Sequence, residues 1–363
     1  MLIKKYIAHE FLLNVFYCLA GLCILHIIAD VFNTISAIAN SKPGIWLIIR
    51  YYISYMLPSI ELIVPASLLL ATLYTLWSMA HHSELIAMQA NGISIRLVLS
   101  IFLKTGIIFS IILLIAKETF IPDMAFWAYN FQRSNFKLSD NYGSVPISFM
   151  NDKDLRIWYI REFNPNNPKK IKGVKVTQER PNGSRELSIE AEHAEWLDGE
   201  WWFFSPVIQR FNENDSPIRK DAMLGTYISK SMDFNETPED FLAIIRPPDA
   251  QTIFHMKRYL DKHSRLSGTM LAEKWTDFHS HLAAPWACFI VVTFAIPIGV
   301  KTGRQSMLFG ILGALILFFC FYTVNQIGIF LAKSQLIMPC IGAWLSNTLF
   351  FVIGVLMYLL RKA

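Results

Sequence analysis

Few residues in this sequence have types and spacing suited to chemistry. The histidines include the pairs His81–His82 and His279 with His281, and neither pair has a third ligand at a spacing that would complete a metal site. Gly299–Gly303 resembles a phosphate-binding loop, but the first glycine of GxxxxGK[ST] is missing and no strand pattern precedes it. No GxSxG or HExxH motif is present. We therefore predict no catalytic residue, no metal and no cofactor in this chain.

Ionisable residues inside apolar stretches form a second group, because a charge in hydrocarbon is costly and usually faces a partner or a cavity. Asp30 and Arg50 fall at similar depth, so they either pair with each other or line a cavity. Glu61 lies deeper and is a candidate gate or bundle contact. Lys117 and Glu118 are expected to form an ordinary interfacial pair.

The composition indicates a membrane protein with one large aqueous domain. Of 363 residues, 53% are hydrophobic and 17% charged, whereas soluble proteins have about 25% charged residues. Most charges lie between residues 150 and 275. The net charge of +5 comes without any block of five or six basic residues, so we predict no nucleic-acid partner. All five cysteines lie in apolar stretches, which excludes a disulfide framework in the polar middle.

Six spans are predicted by hydropathy, three before and three after the polar middle. They cover roughly residues 11–36, 46–79, 97–121, 277–300, 306–332 and 339–360. Alternating crossings place on one side Lys4, Lys5, Arg96, Lys301, Arg304, Arg361 and Lys362, and on the other Lys42 and Lys333. The positive-inside rule therefore predicts that both termini are cytoplasmic and that residues 122–276 lie across the membrane.

The polar middle has the alternation of half-buried strands. Residues 155, 157 and 159 are predicted to face inward on one strand, and residues 187, 189 and 191 on another. Asp198-Gly199 predicts a tight hairpin leading to the strand at 201–204. A helix start is expected at Thr237 and an amphipathic helix over 253–260. The predicted insert is a sandwich or jelly roll between spans three and four.

Residues 79–94, between spans two and three, are the most informative segment. Ser83 is expected to cap a short helix at about 82–92, with Glu84 in the first turn and Gly92 at its end. Leu85 and Met88 recur on one face. The helix either packs on its own bundle or docks its apolar face in a cleft of a cytoplasmic partner.

These residues resemble a known family. Residues 83–85, 88–90 and 92–94 read Ser-Glu-Leu, Met-Gln-Ala and Gly-Ile-Ser, as in the coupling helix of the LptF/LptG lipopolysaccharide-export permeases. The resemblance covers the whole chain, including Asn325-Gln326 in span five and the Arg361-Lys362 end. The short C-terminus and the final spans resemble LptG more than LptF.

The resemblance implies a bundle of six transmembrane helices with a periplasmic β-jelly-roll insert. Its domains would be residues 1–121, the insert 122–276 and residues 277–363. It also implies a multi-pass inner-membrane permease subunit of an ABC-type exporter, which extracts lipopolysaccharide and passes it to a periplasmic jelly-roll bridge. The implied partners are an LptF-like sister permease, an LptB-like cytoplasmic ATPase dimer that binds ATP and magnesium, and LptC/LptA-like periplasmic proteins.

A lipid site follows from the same resemblance. The lipid phosphates would meet basic side chains at the edge of the membrane, and lipid in the β insert would meet apolar side chains. The candidates for the headgroup or cavity are Asp30, Lys42, Arg50, Glu61, Arg133 and Lys137. The candidates for the β-domain groove are Ile157, Ile189, Trp201 and Phe203, with an ordinary sandwich core as the alternative.

One departure and two other function classes stay open. Family members carry lysines shortly after the position of Asp30, where this chain has Asn33 and Thr34. Either the charge contacts are rearranged in this chain, or it exports a lipid with a different headgroup. A non-transporting scaffold, whose β domain binds a periplasmic partner, would fit the same architecture. A membrane enzyme acting on lipid would need a nucleophile, base or metal cluster, and the sequence shows none in recognisable spacing.

Overall fold

The computed structural model describes residues 2–92, 94–135, 145–165, 167–222, 226–228, 234–247, 250–262, 268–302 and 307–360. Six helical segments are long and apolar enough to cross a membrane: Ile3–Ser41, Ile45–His81, Arg96–Thr119, Gly268–Val300, Gly310–Lys333 and Pro339–Leu359. An antiparallel sheet lies between the third and the fourth. The predicted fold class is confirmed.

The order of the elements agrees with the prediction: helices come first, strands follow, and helices come again after the strands. The helices are α1 (Leu2–Ser41), α2 (Ile45–His81), α3 (Glu84–Ala90), α4 (Ile95–Thr119), α5 (Ile121–Asn135), α6 (Pro238–Ile245), α7 (Ile253–Lys262), α8 (Gly268–Ala283), α9 (Ala287–Thr302), α10 (Met307–Lys333) and α11 (Pro339–Leu360). The strands are β1 (Val145–Asn151), β2 (Arg156–Phe163), β3 (Lys170–Glu179), β4 (Arg185–Leu197), β5 (Glu200–Phe204), β6 (Val207–Phe211), β7 (Pro217–Ala222) and β8 (Thr226–Ile228). The contacts divide the chain into two compact units, residues 1–129 with 268–363, and residues 130–267.

Helix α2 and the α8–α9 segment form the centre of the helical unit. In the most apolar stretch of α2, 56% of the residues are buried, and in that of Gly268–Val300 the share is 67%. The corresponding share in α1 is 17%. Leu68 and Leu76 of α2 belong to the same buried cluster as Val292 and Ile296 of α9. Because these two segments bury the largest shares of residues among the described spans, α2 and α9 form the packed centre, while α1 keeps most of its surface open to lipid.

Helix α2 is continuous through Pro58 and Pro65. Its 37 residues rise about 55 Å at about 1.5 Å each, against a hydrocarbon core of about 30 Å. The helix must therefore tilt or extend beyond the membrane. The buried side chains of Ser67 and Thr72 donate hydrogen bonds to carbonyls within the helix, to Val64 at 2.8 Å and to Leu68 at 2.6 Å.

Helices α10 and α11 cross at a pair of glycines. A Cβ built on Gly328 would lie 2.4 Å from the Gly342 carbonyl oxygen, and one on Gly342 would lie 2.5 Å from the Gly328 carbonyl oxygen. Both obstacles are backbone atoms, so a side chain could be accommodated only by moving the helices apart. Close backbone approach through small residues is a common basis of helix association in membranes.

The sheet branches at its longest strand. Strand β4 pairs with β3 along one edge, while its other edge pairs with β6 over Leu187–Glu190 and with β5 over His193–Leu197. The strand order is β1-β2-β3-β4-β5-β8, with β6 and β7 as the second branch. Asp198 and Gly199 have φ of 52° and 83°, which confirms the tight hairpin between β4 and β5.

The inward face of β2 is the reverse of the prediction. Arg156, Trp158 and Ile160 are buried, and Ile157 and Tyr159 face the other side. The alternation was correct but its phase was wrong, because Arg156 was assigned to solvent. Its guanidinium instead donates to Glu236, whose side chain is fully buried, at 2.8 Å. Buried charges occur where they are paired in this way.

The remaining local predictions for the insert are confirmed. Leu187, Ile189 and Ala191 are buried on β4. The helix start at Thr237 has Pro238 in its first turn, and the Thr237 backbone N–H donates to the Asp240 carboxylate at 2.8 Å. Helix α7 buries one stripe, which includes Met256 and Leu260.

The glycine crossing yields a stability prediction. Gly328→Ala is expected to lower the free energy of unfolding by roughly 1–3 kcal/mol, the cost of an overpacked contact. Gly313→Ala on the same helix is the matched control, because a Cβ there meets no atom within 4 Å. Thermal unfolding of the purified protein in detergent compares them. Equal melting temperatures for the two variants would show that the crossing is looser than described.

Candidate functional site

Helix α3 forms at the predicted place between spans two and three, over Glu84–Ala90 where about 82–92 was predicted. Gly92 has φ of +77° and follows the last turn, as expected of a glycine that ends a helix. Ser83 has φ of +58° and makes no side-chain capping hydrogen bond. The predicted serine cap is therefore wrong. A left-handed residue at this point turns the chain out of α2, and the Ser83 carbonyl accepts from Ala87 at 2.9 Å.

The apolar face of α3 points into the protein's own bundle. Leu85 is 6% exposed and belongs to the cluster formed by α1, α2, α4 and α9, and Met88 packs against that cluster. The sequence left open whether this face packs internally or docks a partner, and the structure places Leu85 inside. The outward face carries Ile86, which is 54% exposed, together with exposed Gln89. The apolar surface that α3 leaves exposed is on this face.

Glu84 is held by the first helix. The Tyr6 hydroxyl donates to the Glu84 carboxylate, with 3.3 Å to Oε1 and 3.4 Å to Oε2. Ile7 and Phe11 of α1 lie in the same buried cluster as Leu85. The start of α1 and the helix α3 are therefore attached by packing and by a polar contact at the rim.

Asp30 and Arg50 have different partners. Thr34 donates to the Asp30 carboxylate at 3.4 Å, and the hydroxyls of Tyr51 and Tyr55 also interact with it. The Arg50 guanidinium stacks over the Trp127 ring at 4.2 Å. Within the described part of the chain no ion pair joins Asp30 to Arg50, so of the two alternatives the structure does not support pairing. Arg50 stays exposed.

Two polar contacts occupy the end of α4, one an ion pair and the other a contact with a histidine that is charged only if protonated. Lys117 donates to Glu61 of α2 at 2.7 Å, and the Glu118 carboxylate lies 3.0 Å from His281 Nε2 of α8. The expected pairing of Lys117 with its neighbour is therefore wrong, because successive residues on a helix point in different directions. Glu61 is a bundle contact, one of its two predicted roles. The partner of Glu61 had no signal in the sequence beyond a lysine inside an apolar stretch.

The other predicted headgroup residues are partly outside the description. Lys42 lies exposed in the short turn between α1 and α2, with φ of 44°. Arg133 lies near the end of α5, and its side chain is outside the described residues. Lys137 also falls outside them. The predicted contacts of these two residues therefore stay predictions.

Three of the four predicted groove residues belong to a packed core. Ile189, Trp201 and Phe203 are buried, and the Trp201 and Phe203 rings lie 5.8 and 5.9 Å from Trp158. The Trp201 indole N–H donates to the Glu236 carbonyl at 2.8 Å. Ile157 faces the opposite side of the sheet, away from these rings. The geometry of these residues matches the sandwich-core alternative.

The pKa values of two side chains in the insert, one exposed and one buried, are shifted for different reasons. Hydrogen bonds from the Arg185 side chain and backbone hold the pKa of Asp215 below its ordinary value. Burial raises the pKa of Tyr259, and the charge of Asp152 adds to it. Asp215 therefore stays ionised and Tyr259 neutral near pH 7.

Comparison with known proteins relates nearly the whole chain to one family. The model of the family described as lipopolysaccharide export system permease LptF/LptG matches residues 5–362. The chain belongs to the LptF/LptG permease family. The lipopolysaccharide export system permease protein LptG of Escherichia coli K12 is 23% identical over 326 residues, 84% of this chain and 82% of that protein. LptG of Escherichia coli O6:H1 matches to the same extent. The resemblance to this family and to its LptG branch is confirmed.

Membership of the LptF/LptG family gives the general role of the chain, but it assigns no role to an individual residue. Permeases of this family are transport subunits and not themselves enzymes, so the chain is a multi-pass inner-membrane transport subunit of lipopolysaccharide export. The sequence identified Lys117 but not its pairing with Glu61, and it did not identify Tyr6, whose hydroxyl contacts Glu84.

The Lys117–Glu61 pair yields a second stability prediction. Glu61→Gln leaves the Lys117 ammonium, whose side chain is 8% exposed, without its counter-charge. We expect a loss of roughly 3 kcal/mol in the free energy of unfolding. The double variant Glu61→Gln/Lys117→Met removes both charges and should recover most of it. A double-mutant cycle on thermal unfolding measures the coupling, and additive losses would contradict the pair.

Proposed function

We propose that this chain extracts lipopolysaccharide from the inner membrane as a permease subunit driven by a separate cytoplasmic ATPase dimer. It would work beside an LptF-like sister subunit and pass lipid to a periplasmic bridge of jelly-roll proteins. The observation that carries the proposal is the short helix α3 between two spans, with an apolar side chain, Ile86, turned outward. A seven-residue helix gains little stability by itself, so a solvent-exposed Ile86 on it is best explained by a protein that covers it.

The proposed orientation puts α3 in the cytoplasm. Lys4 and Lys5 at the start of α1 and Arg96 at the start of α4 are exposed and lie at the same end of the spans as α3. Lysine and arginine are enriched in cytoplasmic loops. The β insert then lies in the periplasm, on the side to which exported lipid must move.

The proposed lipid contact centres on Arg50. A guanidinium stacked on a ring keeps its N–H donors in the guanidinium plane, free for a phosphate. Lys42 is exposed in the turn just before α2, on the same side of the membrane. Arg133 and Lys137 remain proposed members of this basic collar. Lipid A phosphates lie at the membrane edge, so charge-assisted bonds there would orient the headgroup.

The proposed route through the insert avoids three of the four predicted groove residues. Ile189, Trp201 and Phe203 pack against neighbouring rings in the core. Lipid passed along the β domain would need an apolar surface that is open to it. Among the four groove candidates Ile157 is the one that faces away from the aromatic core, so it is the better site for a photo-crosslinker that captures lipid during ATP hydrolysis.

Docking is tested on the outward face of α3. Ile86→Asp should reduce copurification of the ATPase about thirtyfold, the effect of losing a central apolar contact worth about 2 kcal/mol. Ile218→Asp makes the same change at an exposed isoleucine of β7 and should have no effect. Copurification is quantified by mass spectrometry of the native complex. Undiminished ATPase with Ile86→Asp would refute docking through α3, and no ATPase with the unaltered protein would favour the scaffold.

Headgroup binding is tested at Arg50. Arg50→Gln should weaken the stimulation of ATP hydrolysis by lipopolysaccharide about tenfold in half-saturating concentration, because one hydrogen bond to a charged group is lost. Basal hydrolysis should stay unchanged, since the nucleotide sites belong to another subunit. Lys153→Gln, at an exposed lysine of the insert, is the control. A parallel fall in basal hydrolysis would indicate misassembly in place of lost lipid binding.

A further inference from the structure

The contact between Tyr6 and Glu84 links two parts of the chain with different proposed tasks. Glu84 begins the docking helix α3, and Tyr6 is near the start of α1, 78 positions away in sequence. Tyr6 is 48% exposed, so the contact lies at the surface of the bundle. A partner that reaches α3 therefore reaches this hydrogen bond as well.

The geometry makes this hydrogen bond exchangeable. One hydroxyl proton is shared between two carboxylate oxygens at 3.3 and 3.4 Å. An O–H donor to a carboxylate normally sits at about 2.5–2.7 Å. The Glu84 carboxylate therefore keeps acceptor capacity, and a basic group of a docked partner would attract it more strongly than a distant neutral hydroxyl.

The apolar layer next to this contact ties α3 to the first span. Ile7 and Phe11 of α1 are fully buried in the same cluster as Leu85 of α3 and Phe102 of α4. The Phe11 and Phe102 rings lie 4.6 Å apart. A displacement of Leu85 must therefore be absorbed by its neighbours in this cluster, because packed side chains leave little free volume.

The first span is the one best suited to move in response. Only 17% of the residues in its most apolar stretch are buried, the lowest share among the six described spans. Asp30, a candidate for the lipid cavity, is on the same continuous helix as Tyr6. The two positions are about 36 Å apart along the axis at about 1.5 Å per residue. A shift at one end of a helix is carried to the other end.

We propose that Tyr6 is a positioning residue that holds Glu84 in the undocked state and transmits ATPase docking to the first span; this rests on the proposed function. Docking exchanges the Tyr6 hydroxyl for a basic donor at the Glu84 carboxylate, and the tyrosine keeps its proton. The exchange removes the polar contact between the start of α1 and α3 and leaves their apolar contact in place. The buried layer of Ile7, Phe11 and Leu85 then carries a displacement of α3 to the span that contains Asp30.

The test is Tyr6→Phe, which removes the hydroxyl and keeps the ring. Tyr17→Phe is the matched control, an exposed tyrosine on the same helix for which the structure shows no hydrogen bond within the described residues. The complex with its ATPase is purified, reconstituted in vesicles and assayed with and without lipopolysaccharide. We expect Tyr6→Phe to keep assembly and basal hydrolysis and to lower the ratio of stimulated to basal hydrolysis about fivefold, equivalent to about 1 kcal/mol.

Three results would overturn the proposal. Wild-type stimulation with Tyr6→Phe would show that the hydroxyl transmits nothing. Loss of ATPase from the Tyr6→Phe complex would make Tyr6 a docking or folding residue. The third result is that no ATPase copurifies with the unaltered protein. It would refute the proposed function and this inference together, whereas the first two results concern this inference alone. Rescue of stimulation by Tyr6→His, which restores a donor at the rim, would support transmission through the hydrogen bond.

Discussion

The helical unit depends on partners for the ionisable side chains that lie within its spans. Lys117 and Glu118 are consecutive residues at the end of α4, and they contact Glu61 of α2 and His281 of α8. Hydrocarbon cannot solvate such groups, so each needs a partner inside the protein. Because α2 precedes the insert in sequence and α8 follows it, the two contacts join the two halves of the bundle at α4. The sheet can then be inserted without separating the spans on either side of it.

The bundle combines a tightly packed centre with an open periphery. Helices α2 and α9 fill the centre, with Gly299 of α9 so close to Leu76 that a Cβ would lie 3.0 Å from its side chain. Helix α1 is mostly exposed, and only 22% of the residues in the most apolar stretch of α10 are buried. In a membrane, an exposed apolar helix can meet either lipid or another helix. Among the described spans, α1 and α10 offer the largest exposed shares for such contacts.

The insert solves a different problem, because it must fold in an aqueous compartment without disulfides. Its core is aromatic, and Trp158, Trp201 and Phe241 contact one another with ring centroids 5.2–5.8 Å apart. Aromatic side chains bury the largest apolar areas per residue. The Arg156–Glu236 pair is attached to this core through the Glu236 carbonyl, which accepts from Trp201. The same buried pair fixes the segment before α6 against the sheet.

The sequence by itself determined the features that depend on neighbouring residues. The six spans, the Asp198-Gly199 hairpin, the helix start at Thr237 and the short helix between spans two and three were all predicted, since hydropathy and turn chemistry act over a few residues. The family followed from the same local motifs. Tertiary structure decided which side each element presents. It reversed the face of β2, since Arg156 finds its partner 80 residues away, and it turned Leu85 inward, where buried side chains of α1 and α4 belong to the same cluster. Ion pairs such as Lys117–Glu61 also join residues far apart in sequence, 56 positions in this case. No local pattern specifies such a partner, because the free energy of burying a charge depends on which side chains the rest of the fold brings to it.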